Sequence, residues 1–130
     1  MAIRHAKAKA DPLGAPALRT FLNIADRWRL SPDQRRALLG KLPESTYYKY
    51  AKTPEAARLS YDTLERISHL VGIFKAINIL LPRPEQADGW VHRANSNSLF
   101  KGRSALEYML SGRFEDIVTV RRHLDAARGW

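Results

Sequence analysis

The run Ser45-Thr46-Tyr47-Tyr48-Lys49-Tyr50, with Arg35 and Arg36 upstream and Lys52 just after it, concentrates the recognition chemistry of this chain. The hydroxyls of Ser45, Thr46 and Tyr48 donate and accept, as reading base edges requires. Lys49, Lys52, Arg35 and Arg36 carry the donors that hold phosphate oxygens. Catalysis has no comparable signal. His5, His69, His92 and His123 are scattered, and none stands in HxxxH or HxxE spacing. There is no cysteine, and no glycine-rich phosphate loop follows a strand. Glu107, Glu115 and Asp116 lie on amphipathic stretches, where water is their simplest partner. The expectation is a binding protein without catalytic residues, metal site or cofactor.

Charge supports that expectation. The 130 residues carry a net +9, unevenly distributed. Residues 1–60 hold twelve Lys/Arg against five Asp/Glu, a net of +7; residues 61–130 hold ten against eight, a net of +2. A basic front half is the electrostatic footprint of a nucleic-acid binder, although charge alone gives non-specific affinity. The longest apolar run, Leu70 to Leu81, is interrupted by Lys75 and Asn78 and falls short of the roughly 20 residues of a membrane span. Together with the missing cysteines and the lack of an apolar leader core, this predicts a cytoplasmic protein.

The elements that must position the recognition residues read as helices throughout. Residues 1–16 lack periodicity and are expected to form a flexible basic arm. From Pro16, the residues Leu18, Phe21, Leu22 and Ala25 fall at i, i+3, i+4 and i+7, one face of a helix, with Trp28 following. Ser31-Pro32-Asp33-Gln34 is a helix start with a capping box, and Gly40 stops that helix. A second short helix opens near Glu44 or Ser45. Two short helices about a glycine-containing turn form a helix-turn-helix pattern, whose second helix offers its N-terminal residues to the major groove; a plain αα-corner with packed tyrosines is the alternative. Ser60 then caps a long helix with apolar positions at Leu64, Ile67, Leu70, Phe74, Ile77 and Leu81. Leu81-Pro82-Arg83-Pro84 ends it, and Pro84 opens a helix through Trp90 to about Ala94. Asn95-Ser96-Asn97-Ser98 predicts a structured turn, with Gly102 at positive φ. Ser104 and Glu107 form a second capping box, Ser111-Gly112 breaks the helix after it, and a closing helix runs from Phe114. The expected fold class is all-α, about seven helices: a helix-turn-helix-like domain over 17–81, joined by the long helix to a small helical domain over 82–130.

From Pro84 onward the chain resembles the toxin-binding domain of the Xre/MbcA/ParS antitoxins. Trp90, Asn95, Leu99, Gly102, Arg103, Ser104 and Leu106 stand in the order and spacing of that family's pattern, with Met109, Leu110 and Gly112 in register. Ala94 and Ala105 stand where the family usually has proline. Residues Ala17 to Leu81 resemble the Xre-type helix-turn-helix that precedes this domain.

The resemblance implies an antitoxin of a type II system. Its cognate partner would be a RES-domain toxin that degrades NAD or uses it for ADP-ribosylation, with the antitoxin occluding the toxin's active site. It also implies repression of the protein's own operon through operator DNA, and a homodimer within a toxin–antitoxin hetero-oligomer. Toxin contact is then expected from the loop residues Asn95, Asn97, Leu99, Phe100, Lys101 and Arg103 and from Arg128 and Trp130 at the end of the chain. Phe100, Leu99 and Trp130 are the apolar anchors; Arg103 and Arg128 reach carboxylates or a site built for NAD phosphates. Trp90 is expected in the core. The other reading is a stand-alone dimeric DNA-binding transcriptional regulator, whose C-terminal unit serves dimerisation and has no reason to expose Phe100 and Trp130.

Overall fold

The structure, a computed structural model, describes residues 12–129. Among them are seven α-helices, and the backbone pairs in extended form only at an isolated bridge between Ala94 and Ser104. In chain order they are α1 (Gly14–Arg27), α2 (Pro32–Leu38), α3 (Glu44–Lys52), α4 (Tyr61–Leu80), α5 (Pro84–Gly89), α6 (Ala105–Met109) and α7 (Phe114–Ala127). Short 3-10 turns fill Pro54–Ala56, Trp90–His92 and Ser98–Phe100.

Local sequence explains most boundaries. In α2, Ser31 Oγ accepts from Gln34 N at 3.2 Å, and Gln34 Oε1 accepts from Ser31 N at 2.9 Å. Two of the helix's orphan donors are satisfied reciprocally. Gly40 follows at φ +93°, a conformation that costs glycine nothing. Ser60 Oγ caps α4 by accepting from Thr63 N at 3.1 Å. Two boundaries differ from expectation. Helix α1 begins at Gly14, before Pro16, because proline needs no hydrogen bond within a first turn. The helix from Pro84 stops at Gly89 and tightens into a 3-10 turn; Arg93 is already extended, so the turn toward Asn95 starts early.

The apolar stripes meet in one core that takes residues from every α-helix. Leu18, Phe21 and Trp28 of the α1 region, Leu38 and Leu39 of the α2 end, Leu70, Ile73 and Ile77 of α4, and Ile117 and Val120 of α7 are all buried. The long helix α4 packs on α1 along one side and on α7 along another. That explains why its apolar residues exceed a single face.

A buried charge joins the two halves. The Arg66 side chain is 9% exposed. Its Nε donates to Asp62 Oδ2 at 2.7 Å, and its Nη1 donates to the Gly112 carbonyl at 2.8 Å. The guanidinium lies 6.0 Å from the Phe114 ring centroid. Thr63, three residues earlier on α4, donates its buried hydroxyl to the Leu39 carbonyl at 2.9 Å. A Cβ on Gly40 would stand 3.1 Å from Arg66 Nε, so the helix-turn-helix turn rests directly on this arginine. At the other end of the junction, Arg27 Nε donates to Asp88 Oδ2 at 2.9 Å, and the His92 ring bonds the Trp28 carbonyl.

Two expectations follow for stability. Truncating Arg66 leaves the buried Gly112 carbonyl unpaired, and a hydrogen bond from a charged donor is worth about 1.5–3 kcal/mol. Asp62 is 57% exposed, and an exposed partner contributes at most about 1 kcal/mol. Urea unfolding should therefore show Arg66→Ala losing roughly 2 kcal/mol more than Asp62→Ala; equal losses would mean that the ion pair, not the carbonyl bond, is what counts. The second expectation concerns pH. Burial, then the charge of Arg121, hold the His69 pKa below its ordinary value, against an opposing pull from Glu65. On acidification the unfolded ring, near 6.5, takes its proton first. The contribution of His69 is thus present above that value and lost as pH falls from it toward the folded pKa. The urea midpoint should fall as pH is lowered below about 7, and less so in His69→Phe, which keeps the packing against Phe114.

Candidate functional site

Helix α3 presents the first candidate surface. Ser45, Tyr48, Lys49 and Lys52 are exposed and fall at i, i+3, i+4 and i+7, so they share its outer face. Thr46 is half-buried beside them. Tyr47 points inward at 4% exposure and meets the Tyr48 ring edge-on at 5.4 Å between centroids. One helix thus carries a packed tyrosine and an opposite stripe of hydroxyls and ammonium groups, as a recognition helix requires.

Arg35 and Arg36 do something else. Arg35 Nε donates to the Leu30 carbonyl and its Nη2 to Asp26, both at 2.9 Å, while Nη1 reaches the Tyr47 hydroxyl at 3.5 Å. Arg36 Nε donates to the Leu42 carbonyl at 2.8 Å, and its Nη1 donates to Asp33 at 3.2 Å. Both guanidinium groups bind the turns on either side of α2. These bonds tie each side chain to a turn next to α2, and both remain half-buried rather than enclosed.

The second candidate surface is the loop from Asn95 to Ser104. Asn95 Oδ1 accepts from Asn97 N, and Asn97 Oδ1 accepts from Leu99 N, each at 2.9 Å. These are two successive Asx turns. Asn95 N donates to the Arg103 carbonyl at 3.0 Å and closes the loop at its base. Lys101 at φ +52° and Gly102 at φ +81° are consecutive left-handed residues. Gly102 has open space around a would-be Cβ, so conformation alone selects it. Ser104 Oγ accepts from Glu107 N, and Glu107 Oε1 from Ser104 N, both at 3.0 Å. The Ser104 backbone bond, then its side chain, hold the Glu107 carboxyl below its usual range.

Phe100 corrects the expectation of an exposed anchor. It is 0% exposed. Its ring makes edge contacts with Trp90 at 6.4 Å, Tyr108 at 5.7 Å and His123 at 5.4 Å. The loop folds over this ring, which makes Phe100 the hub of the C-terminal core. Leu99 is half-buried against the same core, as is Trp90. Asn95 and Asn97 spend their side-chain oxygens on the loop itself. The exposed side chains of the loop are Ser96, Asn97, Ser98, Lys101 and Arg103. Arg103 lies over the Tyr108 ring at 5.5 Å, which holds its guanidinium at the surface. Arg128 sits beside Asp125 at 3.9 Å, its side chain 13% exposed. Trp130 lies outside the described residues. Among the described residues no group of three His, Cys, Asp or Glu is placed to hold a metal, and no helix is long and apolar enough to cross a membrane.

Residues 6–72 match the antitoxin Xre-like helix-turn-helix domain, and residues 76–129 match the antitoxin Xre/MbcA/ParS C-terminal toxin-binding domain. The chain is also 45% identical over 128 residues to the uncharacterized protein y4oB of Sinorhizobium fredii, covering 98% of this chain and 96% of that one. The outward stripe of α3 lies within the first match, and the closed loop over Phe100 lies within the second. This chain belongs to the Xre/MbcA/ParS antitoxin family, with an Xre-like helix-turn-helix domain followed by a C-terminal toxin-binding domain.

Proposed function

We propose that this antitoxin neutralises a RES-domain toxin that consumes NAD or uses it to ADP-ribosylate a target. In this reading the surface of residues 95–104 and the end of α7 cover the toxin's active site. The observation that carries it is the built loop: paired Asx turns, two left-handed residues and a capping box hold Lys101 and Arg103 outward in one geometry. Preorganised cations lose little freedom on docking to an acidic or phosphate-binding mouth. Phe100, Leu99 and Asn95 shape that surface from within, and the exposed Asn97 lies on it. Trp130 and Arg128 remain candidates for direct contact. The antitoxin acts in the cytoplasm, beside its toxin.

The helix-turn-helix supplies the second activity, repression of its own operon. Ser45, Thr46 and Tyr48 read bases, and Lys49 and Lys52 hold phosphates on either side of them. A homodimer would present two such helices to a two-fold operator. The apolar, solvent-facing Ile79 and Leu80 at the end of α4 are where we place its contact.

Three measurements test these assignments. Co-expression with the product of the adjacent gene should yield a stable complex in which NAD loss is suppressed. No complex, with sequence-specific DNA binding by the antitoxin alone, would favour a stand-alone regulator. Lys49→Glu with Lys52→Glu should abolish operator shifts and leave neutralisation intact; lost neutralisation would show that the two surfaces are not separate. Lys101→Glu with Arg103→Glu should weaken toxin binding at least about tenfold while the melting temperature holds, since surface substitutions rarely move stability. Phe100→Ala should instead cost about 3–5 kcal/mol of stability, as large core truncations do. Toxin affinity untouched by the double charge reversal would remove the loop from the interface.

A further inference from the structure

The long helix α4 is covered by α1 along one side and by α7 along another, and a third face stays open. Tyr61, Glu65, Ser68, Gly72, Lys75 and Ile79 fall on that face, and none of them is buried. They stand alternately four and three residues apart, the 3.5-residue period that keeps a stripe turned toward a second helix. Tyr61 is 78% exposed and Ile79 57%, so the stripe ends in an uncovered apolar side chain at either end.

The order of these residues is self-complementary. Positions 61 and 79, 65 and 75, and 68 and 72 lie at equal distances from Leu70, whose own side chain is in the core. A second α4 laid antiparallel over the first about that midpoint sets Tyr61 against Ile79, Glu65 against Lys75 and Ser68 against Gly72. Each pair then occurs twice, as an isologous contact requires. Aromatic meets aliphatic, acid meets base, and the two smallest residues meet at the centre, where the helices approach. The acid and the base are not used inside the chain. Among the described residues neither Glu65 nor Lys75 enters a hydrogen bond or ion pair, and Glu65 is felt through its charge at His69. The centre is also kept low. Arg121 reaches over from α7 and lies against Gly72, where a Cβ would stand 2.5 Å from its Cζ. Beside the stripe, an apolar groove of about 590 Å³ between α1 and α4 is lined among others by Leu13, Ala17, Leu64 and Val71. A two-fold axis across α4 brings the grooves of both copies to one side.

We propose that the open face of α4 joins two copies of this chain, antiparallel about a two-fold axis at Leu70. The proposal rests on the homodimer of the preceding reading and extends its contact from Ile79 along the whole helix. The opposite charges fix direction and register. A parallel pairing sets Glu65 on Glu65 and Lys75 on Lys75, and juxtaposed like charges disfavour it. A slip of seven residues in either direction separates Glu65 from Lys75.

The test uses the full chain alone, without toxin or DNA, and reads its dimer dissociation constant by sedimentation equilibrium. Glu65→Lys and Lys75→Glu should each weaken the dimer at least about tenfold, because each sets like charges opposite one another twice. Glu65→Lys combined with Lys75→Glu should restore most of that loss. A cross-link checks the register. The chain has no cysteine, so introduced thiols pair only with each other. Within one helix positions 65 and 75 lie about 15 Å apart, too far for a disulfide. Glu65→Cys with Lys75→Cys should therefore oxidise to a covalent dimer, and neither single variant should. A dimer that ignores the charge reversals and does not cross-link overturns this face and leaves the homodimer on another surface. A chain that stays monomeric at every concentration overturns both. If a charge variant does not fold, the cross-link decides the matter.

Discussion

The buried guanidinium of Arg66 is the interaction on which the rest of this structure depends. It sits in the first turns of α4, within the residues matched by the helix-turn-helix domain, and donates to the Gly112 carbonyl just before α7, within those matched by the toxin-binding domain. The Gly40 turn packs against it from above and Phe114 from the side. A cation in such a place is stable only while its donors are matched, because a buried charge is costly without partners. Asp62 supplies the countercharge from the solvent side, and the Gly112 carbonyl supplies the inner acceptor. The turn between α2 and α3, the long helix α4 and the closing helix α7 are thereby held at one point.

The same logic of satisfied polar groups explains the loop over Phe100. Ten residues rich in Asn and Ser would be a flexible connection if their side chains faced water. Here Asn95, Asn97, Ser104 and Glu107 each accept a backbone N–H, so the loop carries its own hydrogen-bonding frame. Beneath it one aromatic ring collects three others. The frame fixes the backbone and the ring fixes its height above α6 and α7. Lys101 and Arg103 are left with no internal carboxylate, while Arg103 rests on Tyr108. A surface of this kind is shaped before any partner arrives.

Much of this could be read from the residues in order. Both capping boxes were legible because their bonds span three residues, and the long helix because its apolar period runs unbroken from Leu64 to Ile77. Gly102 at positive φ was legible too, since so few residues tolerate that geometry. What was hidden depends on contacts far apart in the chain. Phe100 stands among Asn, Ser, Lys and Gly, so it looks like an exposed aromatic; Trp90, Tyr108 and His123 bury it from three other segments. The internal bonds of Arg35 and Arg36 are hidden in the same way, because Leu30, Leu42 and Tyr47 come round from other turns to meet their donors. Lys101 gives no sign of its left-handed backbone, because lysine has no preference for it and the closed loop imposes it. Arg66 reads as one polar interruption of an apolar helix, and nothing local pairs it with Gly112.

These hidden contacts have a shared consequence. Of the charged residues expected at functional surfaces, Arg35 and Arg36 are half-buried and bonded to neighbouring turns, whereas Lys49 and Lys52 stay outward on α3. Net charge therefore overstates the phosphate-facing charge of the front half, since several arginines are already committed to carbonyls and carboxylates within the fold. On α3 itself the solvent-facing cations are Lys49 and Lys52, and a steep salt dependence toward any polyanion requires many such groups.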